Sequence, residues 1–188
     1  MKKLVLIAVF LLGLSMMAMA QDTPAVELFG GYSFVDVDTA TAFDAPDGYN
    51  LNLNGWNASV AINANRWAAF VAEFGGYYGS PSDVENVDVS IHSIMFGPRI
   101  SLRKGMITPF FQGLFGYGRV NGEERNQNVF TENDFAMAFG GGLDINVSNM
   151  IAIRPVQLDY FTVKAGTTGD FSDNYRYSAG IVLKLGKR

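Results

Sequence analysis

Two groups of residues in this chain carry atoms that could do chemistry. The first is Ser90-Ile91-His92, in which a hydroxyl and an imidazole two positions apart share one face of an extended strand. Such a pair is the beginning of an activated nucleophile, and it needs an acid to orient the base. No acid of matching parity stands on the adjacent wall. A single histidine at a strand end is more often a solvated or interfacial residue. His92 is the chain's one histidine and there is no cysteine, so neither a histidine pair nor a thiolate is available to hold a metal. The second group is dispersed: Glu27, Glu73, Arg99, Gln112, Asp144, Gln157, Asp159 and Lys184. If these share one interior they must pair or be wetted, because a lone buried charge is very costly.

What would bring the second group together is the element that carries each residue. In Phe135–Val147, FAMAFGGGLDINV, one alternate set is Phe135, Met137, Phe139, Gly141, Leu143, Ile145 and Val147. The other is Ala136, Ala138, Gly140, Gly142, Asp144 and Asn146. A period of two is a β-strand with one set on each face. The second set has too little bulk and too few charges for a water-facing wall. It suits a cramped polar interior, which leaves the apolar set facing outward.

The same alternation recurs at about 25–36, 50–63, 67–79, 88–102, 106–120, 134–147, 151–164 and 175–185. Strands of this length match a tilted membrane crossing, which needs about 9–11 residues, better than the usual five or six of soluble sheets. The connections Asn63-Ala64-Asn65-Arg66, Arg103-Lys104-Gly105 and Ser148-Asn149 are short, whereas those near 37–49, 80–87, 121–133 and 165–174 are long and polar. Short turns at one end and long loops at the other predict an all-β fold: an eight-stranded antiparallel up-and-down transmembrane β-barrel. The outward set includes Phe70, Phe74, Ile94, Phe96, Ile100, Phe111, Phe115, Leu158, Ile181 and Leu183, and Tyr32, Trp56, Trp67, Tyr77, Tyr78, Tyr117, Tyr175 and Tyr177 gather near strand ends as interfacial aromatics.

On the inward parity, Glu27 and Lys184 fall near the same end of strands that closure makes neighbours, and Glu73 and Arg99 fall on strands joined by a hairpin. Both are expected to pair inside. Arg154 has outward parity, but Pro155 beside it marks a bulge that would turn it inward, since proline in sheets sits at bulges or edges. A lumen of paired charges is expected to be structural filling, with a proton or ion path as its functional variant.

The chain opens with Lys2-Lys3, an apolar run and Ala18-Met19-Ala20, which predicts a cleavable signal peptide at 1–20 and a barrel domain at 21–188. The formal charge of −4 argues against nucleic acid, which needs a basic footprint. Most of the 18 acids fall in or beside the long segments, among them Asp36, Asp38, Asp88, Glu123 and Asp134, whereas Arg66, Arg103, Lys104, Lys187 and Arg188 mark the opposite end. The barrel is therefore expected to be acidic at its loops and basic at its turns. Loop carboxylates suit weak sharing of Ca²⁺ or Mg²⁺ with anionic head groups. No loop has calcium-loop spacing, and no cofactor or metal is expected.

The chain resembles the small eight-stranded outer-membrane β-barrel family and is similar to the transmembrane domain of OmpA-type proteins. The resemblance is carried by Val26-Glu27-Leu28-Phe29-Gly30-Gly31-Tyr32, Asn65-Arg66-Trp67, Phe96-Gly97-Pro98-Arg99, Thr108-Pro109-Phe110, Gly140-Gly141-Gly142-Leu143-Asp144 and Arg176-Tyr177-Ser178-Ala179-Gly180. It implies an integral location in the cell outer membrane of a Gram-negative envelope. The implied partners are outer-membrane lipids, lipopolysaccharide and the outer-membrane assembly machinery. The family's interior acid and base positions are similar to Glu73, Arg99 and Asp159. Family chains often end in an aromatic residue, whereas this one ends Leu185-Gly186-Lys187-Arg188. The expected role is structural or interactive, with no enzyme activity. The alternatives are a narrow channel, a soluble secreted ligand-binding barrel, and a lipid A deacylase-like enzyme using Ser90 and His92. The extracellular partner is not legible in the sequence.

Overall fold

Alternating side chains leave every backbone N–H and C=O in the sheet plane, and in hydrocarbon each of these groups needs a protein partner. The computed structural model meets that demand by closure. It describes residues 23–38, 50–80, 87–124, 127–163 and 174–187. The signal peptide expected at 1–20 and most of the long connections lie outside the described residues.

The strands are β1 (Val26–Asp38), β2 (Asn50–Asn63), β3 (Ala68–Gly79), β4 (Val87–Ser101), β5 (Ile107–Glu124), β6 (Gln127–Asn146), β7 (Ile151–Val163) and β8 (Asn174–Leu185). Each pairs antiparallel with its sequence neighbours, and β1 pairs with β8 from Val26↔Leu185 to Asp36↔Tyr175, so the barrel has no open edge. The expected strand ends hold within a few residues except in one place. The loop expected at 121–133 is largely sheet: β5 runs on to Glu124 and β6 starts at Gln127, with a register shift between Gly122 and Glu123. Backbone pairing needs no apolar stripe, so a polar hairpin extension leaves no period-two signal to read.

The short turns are made by residues suited to them. Asn65 Oδ1 accepts from the amides of Trp67 and Ala68, both at 2.8 Å, closing the β2–β3 turn. Gly105 supplies a φ of 62° between β4 and β5, a region that glycine enters without steric cost. Ser148 Oγ accepts from Met150 and Ile151 between β6 and β7.

The facing follows the sequence pattern. Phe70, Ile100, Phe111 and Leu158 are 56–59 % exposed, while Ala136, Ala138 and Val182 on the other parity are fully buried. The small residues of β6 are explained by what lies over them. A Cβ on Gly140 would meet the Leu158 carbonyl oxygen at 2.0 Å and Asp159 Oδ1 at 2.6 Å, and one on Gly142 would meet the Val156 carbonyl oxygen at 2.5 Å and the Phe110 ring at 2.7 Å. The β7 backbone, with the Asp159 carboxylate and the Phe110 ring, occupies the space that β6 leaves.

Candidate functional site

The inward positions divide the barrel into two halves. Toward the long connections most buried side chains are apolar, with Val35, Leu53, Ile91, Met95, Leu114, Phe161 and Val163 in one cluster, and Arg176 and Asn174 are buried at that end with them. Toward the short turns and the middle the charged and amide-bearing side chains collect, beside the apolar Phe29, Ala69, Val71, Phe110 and Val182. Glu27, Glu73, Arg99, Gln112, Asp144, Gln157 and Asp159 are all buried, and Lys184 is half-buried.

Their partners differ from the two pairs expected. Arg99 does not meet Glu73. It donates through Nε and Nη2 to Gln112 Oε1 at 3.1 and 2.7 Å, and Gln112 reaches Asp159 Oδ1 at 3.4 Å. The cation beside Glu73 is Arg176, at 2.6 Å from Oε1. That approach is close but not aligned as a hydrogen bond, and neither Glu73 oxygen has a hydrogen-bond partner among the described residues. Arg176 aligns instead on Asp159 Oδ2, at 3.1 Å from Nε and 2.6 Å from Nη2, and donates Nη1 to the Tyr77 hydroxyl at 2.7 Å. One guanidinium thus stands between two carboxylates, and we take the aligned Asp159 contact as the stronger.

Glu27 and Lys184 face each other in register on β1 and β8, yet they do not pair. Arg103 reaches from the β4–β5 turn to Glu27 Oε1 at 2.7 Å and to Asn63 Oδ1 at 2.9 Å. Lys184 bonds Asn146. A rigid strand register places two Cα atoms opposite, but a long arginine from a turn can reach the same carboxylate first.

Arg154 resolves the parity conflict. The register of β7 shifts against β6 between Ile153 and Val156 and against β8 between Arg154 and Gln157, so an extra residue lies there and Arg154 turns inward, fully buried. Nε and Nη2 hold Asp144 at 2.7 and 3.1 Å, and Nη1 holds Gln157 at 2.8 Å. Gln157 in turn donates to Asp159 Oδ2 at 2.8 Å. The guanidinium lies 4.4 Å from the Phe29 ring centroid and 4.3 Å from that of Phe110, which also faces Arg99 at 4.5 Å. Aromatic faces replace part of the hydration that buried guanidinium groups lose.

Two members of this network are not among the interior residues expected from the sequence. Tyr77, expected among the interfacial aromatics, is fully buried in the interior, and Tyr78 takes the outward position. Arg176 stands near a long connection, yet it too is fully buried. The signal was present, because Arg176 sits between two outward tyrosines, Tyr175 and Tyr177.

Outside the barrel, His92 turns to Tyr78, with Nε2 3.0 Å from the hydroxyl and the rings edge-on at 5.5 Å. No hydrogen bond joins it to Ser90 among the described residues. No group of three or more histidine, cysteine or acidic residues able to hold a metal occurs among them either.

The family model described as the outer membrane protein beta-barrel domain matches residues 6–186. No curated protein matches the chain in sequence. Among solved structures, Neisserial surface protein A superposes with a TM-score of 0.70 at 10 % identity, covering 86 % of this chain and 97 % of that one. Ail, the attachment invasion locus protein of Yersinia pestis, gives 0.59 at 17 % identity over 87 % and 99 %. OprG of Pseudomonas aeruginosa gives 0.58 at 10 % identity over 88 % and 98 %. At these identities the likeness is one of fold.

Proposed function

The chain belongs to the outer membrane protein β-barrel family, and from that premise we propose that it is a structural and interaction barrel whose interior passes no solute. It is an integral protein of the outer membrane, where its apolar outward wall meets lipid. The finer reading rests on one observation above the rest. Leu53, Met95, Leu114 and Phe161 are fully buried on the inward parity of four different strands. A water-filled pore would leave such side chains wetted, whereas an eight-stranded barrel is just narrow enough for side chains to fill. The charged half below supports the same reading, since each of its cations is held by an acid or amide.

The long-loop end then faces outward and carries whatever contact the protein makes. The assembly machinery that inserts outer-membrane barrels is its partner during biogenesis, and the leader at 1–20 is removed on export. No catalytic role is proposed for Ser90 and His92.

A narrow channel is the second reading. It is favoured by the buried polar atoms of Asn57, Ser59, Glu73 and Ser93, which have no hydrogen-bond partner among the described residues and lie together on the inner wall of β2, β3 and β4. The two readings separate by labelling. The chain has no cysteine, so Leu114→Cys gives a single thiol in the apolar half. Exposed to a membrane-impermeant maleimide in intact vesicles, it stays unlabelled if that half is dry. Rapid labelling would favour the channel.

A further inference from the structure

The outward face of β2–β6 changes character in one step toward the long-loop end. Phe74, Ile94, Tyr117 and Phe135 form one apolar row across β3 to β6. Two residues further along each strand the row reads Trp56, Gly76, His92, Arg119 and Asn133, each opposite the next. In a membrane this is where hydrocarbon gives way to head groups.

Gly76 leaves a gap in that row, and donors close over it. A Cβ on Gly76 would come within 2.7 Å of Trp56 Nε1 and 3.0 Å of the Tyr78 hydroxyl. The same hydroxyl lies 3.0 Å from His92 Nε2. Arg119, exposed beside His92, gives only its Nε, to Asn121 Oδ1 at 3.2 Å. Neither an ion pair for Arg119 nor a hydrogen-bond acceptor for the Trp56 indole occurs among the described residues.

Indole and guanidinium only donate; the tyrosine hydroxyl and the imidazole can donate or accept. Nothing in this small cluster is acceptor-only. Two acids stand outward of it: Asp88, beyond Ser90 on β4, which takes its own hydrogen bond from Ser80 at 2.6 Å, and Glu123, opposite Asp88 on β5. A donor cluster whose guanidinium has no ion pair among the described residues, at the lipid boundary of an otherwise acidic end, fits a ligand with several anionic oxygens. Guanidinium matches phosphate geometry with two parallel bonds, and such bonds strengthen where water is scarce.

We propose that Trp56, Tyr78, His92 and Arg119 form an outward-facing site for a phosphate monoester, carried by a glycolipid head group of the outer leaflet. The site rests on the outward wall meeting lipid and is independent of whether the interior conducts.

The test uses the full barrel in phosphatidylcholine nanodiscs containing a small fraction of lipid A, with retained lipid counted by native mass spectrometry. The wild type is expected to retain phosphorylated lipid A in preference to its dephosphorylated form. Arg119→Gln should lower retention roughly tenfold, the scale of one charge-assisted hydrogen bond. Trp56→Phe, which keeps the ring over Gly76 and removes the N–H, should lower it less. Arg66→Gln, at the opposite end, should leave it unchanged. Equal retention by wild type and Arg119→Gln, or no preference for the phosphorylated lipid, would overturn the site. Displacement of the lipid by excess inorganic phosphate would assign the site to a soluble anion and overturn the lipid assignment. Each variant is first checked for heat-modifiable gel migration. A chain that fails to insert speaks against the membrane reading, and one that inserts but loses the preference speaks to the site.

Discussion

Tyr177 donates its hydroxyl proton to the carbonyl oxygen of Pro155 at 2.7 Å, from the outward face of the neighbouring strand. Pro155 stands in the β7 bulge, where the ladder is interrupted and a carbonyl would otherwise face hydrocarbon. The same bulge turns Arg154 inward to Asp144. A lipid-facing tyrosine therefore caps the irregularity that places an interior cation.

Removing that cap should weaken the barrel without unfolding it. Tyr177→Phe leaves the carbonyl without its partner, which costs about 1–3 kcal/mol. Tyr175→Phe, on the same face and making a ring contact with Tyr160, should cost little. Urea midpoints of folding into bilayers, read from gel mobility, compare the two. Equal shifts would remove the cap from the account.

The Arg176 cluster predicts strong non-additivity. Arg176→Gln strands Glu73 and Asp159 in the interior, and breaking a buried ion pair from one side costs about 3–5 kcal/mol. Adding Asp159→Asn should recover part of the loss, because a carboxylate no longer lacks its cation. Folding yields in detergent and in bilayers measure the cycle. A double variant worse than the sum of the singles would contradict the pairing.

The facing of β6 is testable at one residue. Phe139 is outward and packs edge-on against Phe115 with ring centroids 5.2 Å apart. Phe139→Arg should impair insertion, since Arg near the midplane costs about 2–4 kcal/mol, whereas Phe139→Leu should insert normally. Unhindered assembly of the arginine variant would invert the facing.

The strands, their facing and the inward placement of the acids were legible because period-two patterning is local and each strand carries several votes. The partners were not. Which cation meets Glu73 depends on how far Arg176 reaches across the lumen, and which meets Glu27 depends on Arg103 bending in from a turn. Neither is written in the spacing of one strand. Tyr77 and Tyr78 show the limit of reading by residue type, since adjacent tyrosines must face opposite ways and only one can belong to the girdle. The apolar half of the interior was hidden for a related reason. Val35, Leu53 and Leu114 look like lipid-facing residues unless the parity of every strand is held in register with its neighbours.

The central claim is that this barrel sits in the outer membrane with its interior closed by its own side chains. Single-channel recording of the refolded protein in a planar bilayer tests it most directly. No stable conductance steps above the protein-free bilayer are expected while the protein is shown to be inserted. Large, long-lived steps from the wild type would contradict it.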